Sequence, residues 1–227
     1  MRLHRKFRIA LGAVAVLAGS AAADVNPKPG VGGTPKITLP NDGDEYSKLV
    51  ARAAAGDKTL DFRALRLAYL HSAARRRENT DQAIKRRDAL MAALKADDIA
   101  RVRDVATEMI SSNYIDMWGH KFRRQACAAL HDDACAAQGH FVEFGLLESI
   151  VKTGDGKTCP TGWDVVTVTE EYFMVDMTES QPLRQYIVGG KPPCDAILAV
   201  DRDGKQTTYF FKIDTVLKDE GGSLYKP

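Results

Sequence analysis

The chain has 227 residues, with 32 Lys/Arg against 30 Asp/Glu and a formal charge of +2. So even a balance leaves no global field to draw nucleic acid or an anionic membrane. The length suits one domain, or two small ones, with a sizeable core.

Residues 1–23 read as an export signal. Arg2, Arg5, Lys6 and Arg8 form a basic head, "IALGAVAVLAGSAAA" a short apolar run, and Ala21, Ala22 and Ala23 the small residues of a cleavage site. Cleavage is expected between Ala23 and Asp24, which places the mature protein in the periplasm or outside the cell. The run is too short and glycine-broken for a permanent span. Ser20 stands where a lipidated cysteine would be needed, so no stable membrane anchor is expected. Without the signal the chain holds 28 basic against 30 acidic residues, mildly acidic rather than basic.

Residues 24–43, with four prolines and four glycines, read as a disordered tether. A single domain over 44–220 follows, helical over 44–153 and sheet over 163–215. "DEYSKLVARAAAG" places Tyr46, Leu49, Val50 and Ala53 three and four residues apart, with Gly56 as a stop. "DFRALRLAYLHS" sets Phe62, Leu65 and Tyr69 on one stripe behind Asp61 as a cap, and "ARRRENTDQ" is a polar break. Helices with the same period are expected over "DQAIKRRDALMAALKADD", "IARVRDVATEMISSNY", "MWGHKFRRQACAALHDD" and "ACAAQGHFVEFGLLESIV". Asp98 and Asp133 lie 35 residues apart in similar surroundings, "LKADDIARV" and "LHDDACAAQ", close to the tetratricopeptide period. Helical hairpins of that general kind are expected.

Beyond Gly154 the apolar period changes to two. "WDVVTVTEEYFMVDM" reads as a long strand, or two meeting at a bulge, and "PLRQYIV", "DAILAVD" and "QTTYFFKID" as three more, the last two joined by a hairpin at "DRDGK". The fold class is therefore α+β, helical hairpins packed on an antiparallel sheet of about four strands.

Four cysteines in an exported chain read as two disulfides. Three pairings are possible. The tight turn between Cys127 and Cys135 favours that pair, and the prolines beside Cys159 and Cys194, each just before a strand, favour the other.

Several motifs invite chemistry. "GDGKT" hints at a phosphate loop, yet Val151 replaces the first glycine, and a helix precedes and a strand follows, the reverse of the required order. A joint between the two halves, carrying Asp155 and Lys157, is the simpler reading. His140 and Glu143, at i and i+3, are the nearest approach to a helical metal set, but no second Glu-His pair accompanies them, so neither metal nor cofactor is expected. A regular strand would bury Glu170 among Val166, Val168, Tyr172 and Met174, so it would need an ion-pair partner or a raised pKa. A bulge would instead turn Glu170 and Glu171 outward. The six Lys/Arg between residues 75 and 87 lack the interleaved aromatics of a nucleic-acid surface.

"DFRALRLAY", "GLLESIVKTGDGKTCPTGWDVVTVTEEYFMV", "CDAILAV" and "TTYFFKID" together resemble the bacterial family called domain of unknown function 4919, over about residues 46–215. The resemblance implies one recurring unit built on "DFRALR", "SI…GDGK" and "EEY"; the family has no assigned activity, so it carries over no catalytic role. The expectation is a non-enzymatic binding or interaction module of the envelope, taking an envelope protein or a small ligand. The alternative is an envelope hydrolase using Asp155, Lys157, Glu170 and Glu171, with His140. It requires those groups to converge in one cleft, and pairing of the glutamates with Arg63 or Arg66 would sink it.

Overall fold

A computed structural model describes residues 33–190 and 193–214. The signal, its cleavage site at Ala23 and Asp24, and residues 24–32 of the segment read as a tether lie outside them. Among the described residues eight helices, α1 (Glu45–Ala54), α2 (Phe62–Leu70), α3 (Ala73–Arg77), α4 (Thr80–Lys95), α5 (Ile99–Ser112), α6 (Met117–Ala129), α7 (Asp133–Val151) and α8 (Val168–Met177), accompany a four-stranded sheet. The strands are β1 (Trp163–Asp164), β2 (Gln181–Val188), β3 (Cys194–Val200) and β4 (Gln206–Lys212), and the class is α+β.

Each helix starts where a short polar side chain can accept a hydrogen bond from its first turn: Asp44, Asp61, Ser72, Asn79, Asp98, Asp116, Asp132 and Thr167. The Asp-Asp repeat of the sequence is a repeat of turn chemistry. After α4, Asp97 takes a left-handed φ of 56° and Asp98 N–H returns to the Ala93 carbonyl at 3.0 Å. After α6, His131 takes φ 59° and Asp132 N–H returns to the Cys127 carbonyl at 2.9 Å. In both places the next residue caps the following helix, so α4–α5 and α6–α7 are matching hairpins.

The largest apolar cluster joins α1, α2, α7 and α8 to the inner face of the sheet, through Leu65, Tyr69, Leu146, Ile150, Phe173, Ile197 and Phe211. A second, around Leu90, Val102, Val105 and Ala126, fills the space between α4, α5 and α6. Residues 34–42 lie against the helices: Thr34 donates to Asp132, Thr38 N–H to Ser111 Oγ at 3.0 Å, and Arg77 grips Asp42 with two bonds of 2.7 and 2.8 Å.

The sheet order is β1-β4-β3-β2. β2–β3 and β3–β4 are antiparallel, as expected, but β1 runs parallel to β4. The largest departure from the sequence reading lies in "WDVVTVTEEYFMVDM". Only Trp163–Asp164 is strand, and Val168–Met177 is helix α8. The reason is local. Thr167 Oγ accepts from Glu170 N–H, and two acids occupy the first turn, where the helix dipole favours them. Glu170, Phe173, Met174 and Met177 then share a stripe of period 3.6 on the core, while Val168 and Tyr172, which a strand would have buried, face outward. The break "ARRRENTDQ" also holds most of the short helix α3 and the start of α4.

The cysteines stand in two pairs at disulfide distance. Cys127–Cys135 staples the α6–α7 hairpin, with 5.7 Å between Cα atoms, and Cys159–Cys194 ties the loop before β1 to the start of β3 at 5.5 Å. No helix among the described residues is long and apolar enough to cross a membrane.

Candidate functional site

The first turn of α8 places Glu170 and Glu171 side by side, and both are buried. The bulge that would have turned them outward is absent, because a helix turns consecutive residues about 100° apart and here sends each into a different wall.

Glu170 meets Arg66 of α2. Nε donates to Oε1 at 2.8 Å and Nη2 to Oε2 at 2.7 Å, with both side chains at most 2% exposed. The guanidinium is satisfied further by the Asp164 carbonyl at 2.7 Å and Ser149 Oγ at 3.3 Å, and Glu170 Oε2 also accepts Val166 N–H at 2.8 Å. This one ion pair locks α2, α7, β1 and α8 together. Arg63 adds a half-exposed bond to Asp164 at 2.7 Å. A carboxylate held on both oxygens and sealed from solvent cannot reach a substrate. Glu170 is therefore a structural anion.

Glu171 points the other way, toward β2 and β3, and is 0% exposed. Its Oε2 accepts from Gln185 Nε2 at 3.0 Å, and the same nitrogen donates to Asp195 Oδ2 at 2.5 Å. Gln185 Oε1 in turn accepts from the Tyr172 hydroxyl at 2.6 Å, which fixes the orientation of the amide. Asp195 Oδ1 accepts its neighbour Ala196 N–H at 2.8 Å. Among the described residues Glu171 Oε1 finds no donor, and beside Gln185 the carboxyl of Asp195 lies within hydrogen-bonding reach of its own. Two ionised carboxylates cannot close such a contact, so one acid keeps its proton. Burial first, then the charges of Asp195 and Glu170, push the Glu171 carboxyl up to about 9. At neutral pH it is a neutral acid that shares its hydrogen with Asp195. Burial, then the charges of Glu171 and Asp195, also raise the Tyr172 hydroxyl.

The remaining candidates do not converge on α8. Asp155 and Lys157 pair with each other at 3.6 Å in an exposed loop, where Asp155 Oδ1 also accepts Lys157 N–H at 3.0 Å. Thr161, the Lys157 amide and the Lys157 charge hold the Asp155 carboxyl below its ordinary range. The loop's glycine earns its place by packing. Gly156 has φ 67°, its carbonyl accepts Phe210 N–H at 2.9 Å, and a Cβ there would sit 2.8 Å from the Trp163 ring. The "GDGKT" stretch is the joint that docks the helical half on β4.

His140 is exposed and stacks on Phe144 with ring centroids 4.3 Å apart, whereas Glu143 is buried and taken by Arg124 at 2.6 and 3.2 Å. The two do not share a metal position. Cys127, Asp132 and Cys135 bring their ligand atoms within 4.8 Å of one another, but the sulfurs are joined and Asp132 caps α7.

Asp195 and Gln185 escaped the sequence reading. A signal was present: in "CDAILAV" the acid occupies the same alternating positions as Ile197 and Ala199, which are buried. An acid at an inward position of a central strand must have a partner.

With this geometry in view, comparison with known proteins gives one match. Residues 36–221 fit the family described as domain of unknown function (DUF4919), as the motifs "DFRALR", "GDGK" and "EEY" implied, and the chain belongs to that family. No curated protein and no solved structure matches the chain.

Proposed function

We propose that this member of a family of unknown function is a non-enzymatic interaction module of the cell envelope, which receives an extended segment of a partner protein along β2. The observation that carries the reading is the sheet edge. β2 is the last strand in the order β1-β4-β3-β2, and among the described residues its outer side pairs with nothing. Natural edges are usually short or guarded by charge. This one is eight residues long with one charge, Arg184, and exposes Leu183 (53%), Tyr186 and Ile187. Pro182 and the irregular register between Pro182 and Arg184 blunt its start, leaving 185–188 as the stretch fit to accept a strand.

The envelope assignment draws support from the two cysteine pairs, which suit an oxidising compartment, and from the signal-like first 23 residues. The hydrolase alternative required Asp155, Lys157, Glu170 and Glu171 to meet in an open cleft. Glu170 is committed to Arg66, and Asp155 and Lys157 to each other.

The test is affinity capture from envelope extract with the mature protein, beside a Tyr186→Lys/Ile187→Lys double variant that leaves the core side chains intact. A partner retained by the wild type and lost by the variant, at unchanged circular dichroism, supports the reading. The same proteins captured equally by both would overturn it.

A further inference from the structure

We infer that the half-open cleft beneath the 38–41 strap is a binding site for a small, neutral, polyhydroxylated ligand of the saccharide class. It uses residues remote in sequence from β2, and its test is independent of the edge-strand reading. The cleft has a volume of about 300 Å³ and is lined by Thr38 and Asn41 of the strap, Tyr46 of α1, Glu78 beyond α3, and Ser111 and Ser112 at the end of α5. That volume is at the small end of ligand sites, the size for one sugar ring rather than a large cofactor.

The charges around the cleft are already committed. Arg77 gives two bonds to Asp42. Glu78 Oε2 accepts from the Tyr69 hydroxyl at 2.7 Å and from Arg75 at 2.9 Å. An anion entering here would face Glu78, a cation would face Arg77, and neither would find an uncompensated opposite charge. What the cleft offers is hydroxyl and amide chemistry. Thr38 Oγ and the Asn41 side chain have no hydrogen-bond partner among the described residues. Ser112 Oγ accepts from Arg86 at 2.9 Å, and Tyr46 Oη accepts from Tyr114 N–H at 3.0 Å, so each keeps a hydrogen to donate. Tyr46 is almost fully buried and its ring is fixed against Tyr69 at 5.3 Å, so that hydroxyl is preorganised. Groups that both donate and accept match alcohols, which do the same. Leu39, Pro40 and Ala74 complete the lining with apolar surface for the C–H face of a ring.

The strap that forms one wall is positioned by Thr38 N–H on Ser111 Oγ and, beyond Asn41, by Asp42 on Arg77 and on Ser47 Oγ.

The experiment is a titration of isotope-labelled mature protein, followed by amide resonances, with glucose, N-acetylglucosamine, galactose and glycerol. Phosphate, acetate and tetramethylammonium serve as charged probes. Saturable shifts at Thr38, Asn41, Ser111 and Ser112 with a saccharide, weakened about tenfold in the Asn41→Leu/Ser112→Ala variant, are expected. Both changes are at the cleft surface, and an unchanged melting temperature verifies the fold. Absence of a saturable shift with every polyol overturns the proposal. So does equal or stronger binding of phosphate, acetate or tetramethylammonium, or binding that the variant does not weaken.

Discussion

The two sides of helix α8 solve the same problem in opposite ways. Glu170 and Glu171 are neighbours in sequence and both are sealed from water, yet one is kept as an anion by a guanidinium bonded to both oxygens and the other as a neutral acid against Asp195. The Arg66 side closes by charge complementarity and leaves no partner wanting. Among the described residues no cation pairs with the Asp195 side. It closes with an amide, a shared proton and a tyrosine hydroxyl. Burial alone therefore does not reveal a carboxyl's state; the group opposite decides it. The second side, with its raised acid, makes the stability of the fold depend on pH.

The largest effect is expected on the Arg66 side. Arg66→Met leaves Glu170 buried and uncompensated, which costs about 3–5 kcal/mol, a large part of the stability of a domain. The Arg66→Met/Glu170→Leu double variant removes both charges and should recover most of that loss in urea denaturation. If the single variant costs under about 1 kcal/mol, the pair is not the clamp described here. Next comes the tie on the Asp195 side. Cys194 precedes Asp195, and the Cys159–Cys194 link closes a 35-residue separation, for which the chain-entropy account gives about 4 kcal/mol. Cys159→Ser/Cys194→Ser should lower the melting temperature. It should also speed amide exchange at Asp195 and Ala196 before it does so at Val166.

The acid pair makes a distinct pH prediction. The folded pKa of Glu171 is raised, so the folded state holds more protons than the unfolded one between about 4.5 and about 9, and stability falls as pH rises through that window. Two other groups act lower down. Buried His120, pushed down to about 4, adds stability that is lost as pH falls from 6.5. Asp116, pushed up to about 6, adds stability that is lost as pH rises from 3.8. Above about 6.5 both are finished, and below the ordinary tyrosine range of about 10, where the raised Tyr46, Tyr69, Tyr114 and Tyr172 add a decline of their own, Glu171 sets the slope among the shifted groups, at most about 1.4 kcal/mol per pH unit. Glu171→Gln keeps the shape of the neutral acid and places an N–H against Asp195. It should abolish the decline between about pH 6.5 and 9 and be more stable than the wild type at the alkaline end. A parallel decline in wild type and variant would show that the proton is not on Glu171.

The helical half was legible because its signals are local. Polar caps, stripes at three and four residues, and the Asp-Asp turns each lie within a few positions of what they specify, so the hairpins followed from the sequence. The α8 segment was misread because "VVTVTEEYFMVDM" alternates as a strand does, and its β-branched residues reinforce that pattern. Thr167 and the two acids after it were the competing evidence, and a cap of three residues outweighed the alternation. The Arg66–Glu170 pair, 104 residues apart, could be named as a possibility but not chosen over a bulge until the turn of α8 was known. Asp195 could be placed inward by its alternation, but its pairing with Gln185 and Glu171 lay beyond reach for a related reason. A strand's period shows which residues point inward, and it does not show which helix carboxyl waits there.

The smallest effect tests whether both sides depend on how α8 begins. Thr167 Oγ accepts Glu170 N–H at 3.3 Å, a long bond, while Glu170 itself reaches back past the cap to Val166 N–H at 2.8 Å. The start of the helix is thus held twice, once by the cap and once by the buried anion. Thr167→Ala should cost about 1 kcal/mol, toward the lower part of the range for caps, and Thr167→Ser should restore it. Because Glu170 anchors the first turn independently, the alkaline slope assigned to Glu171 should be the same in Thr167→Ala as in the wild type. A slope that flattened would mean that the cap, rather than the Arg66–Glu170 clamp, sets where Glu171 meets Asp195. The two sides of the helix would then be coupled through its first turn instead of separately built.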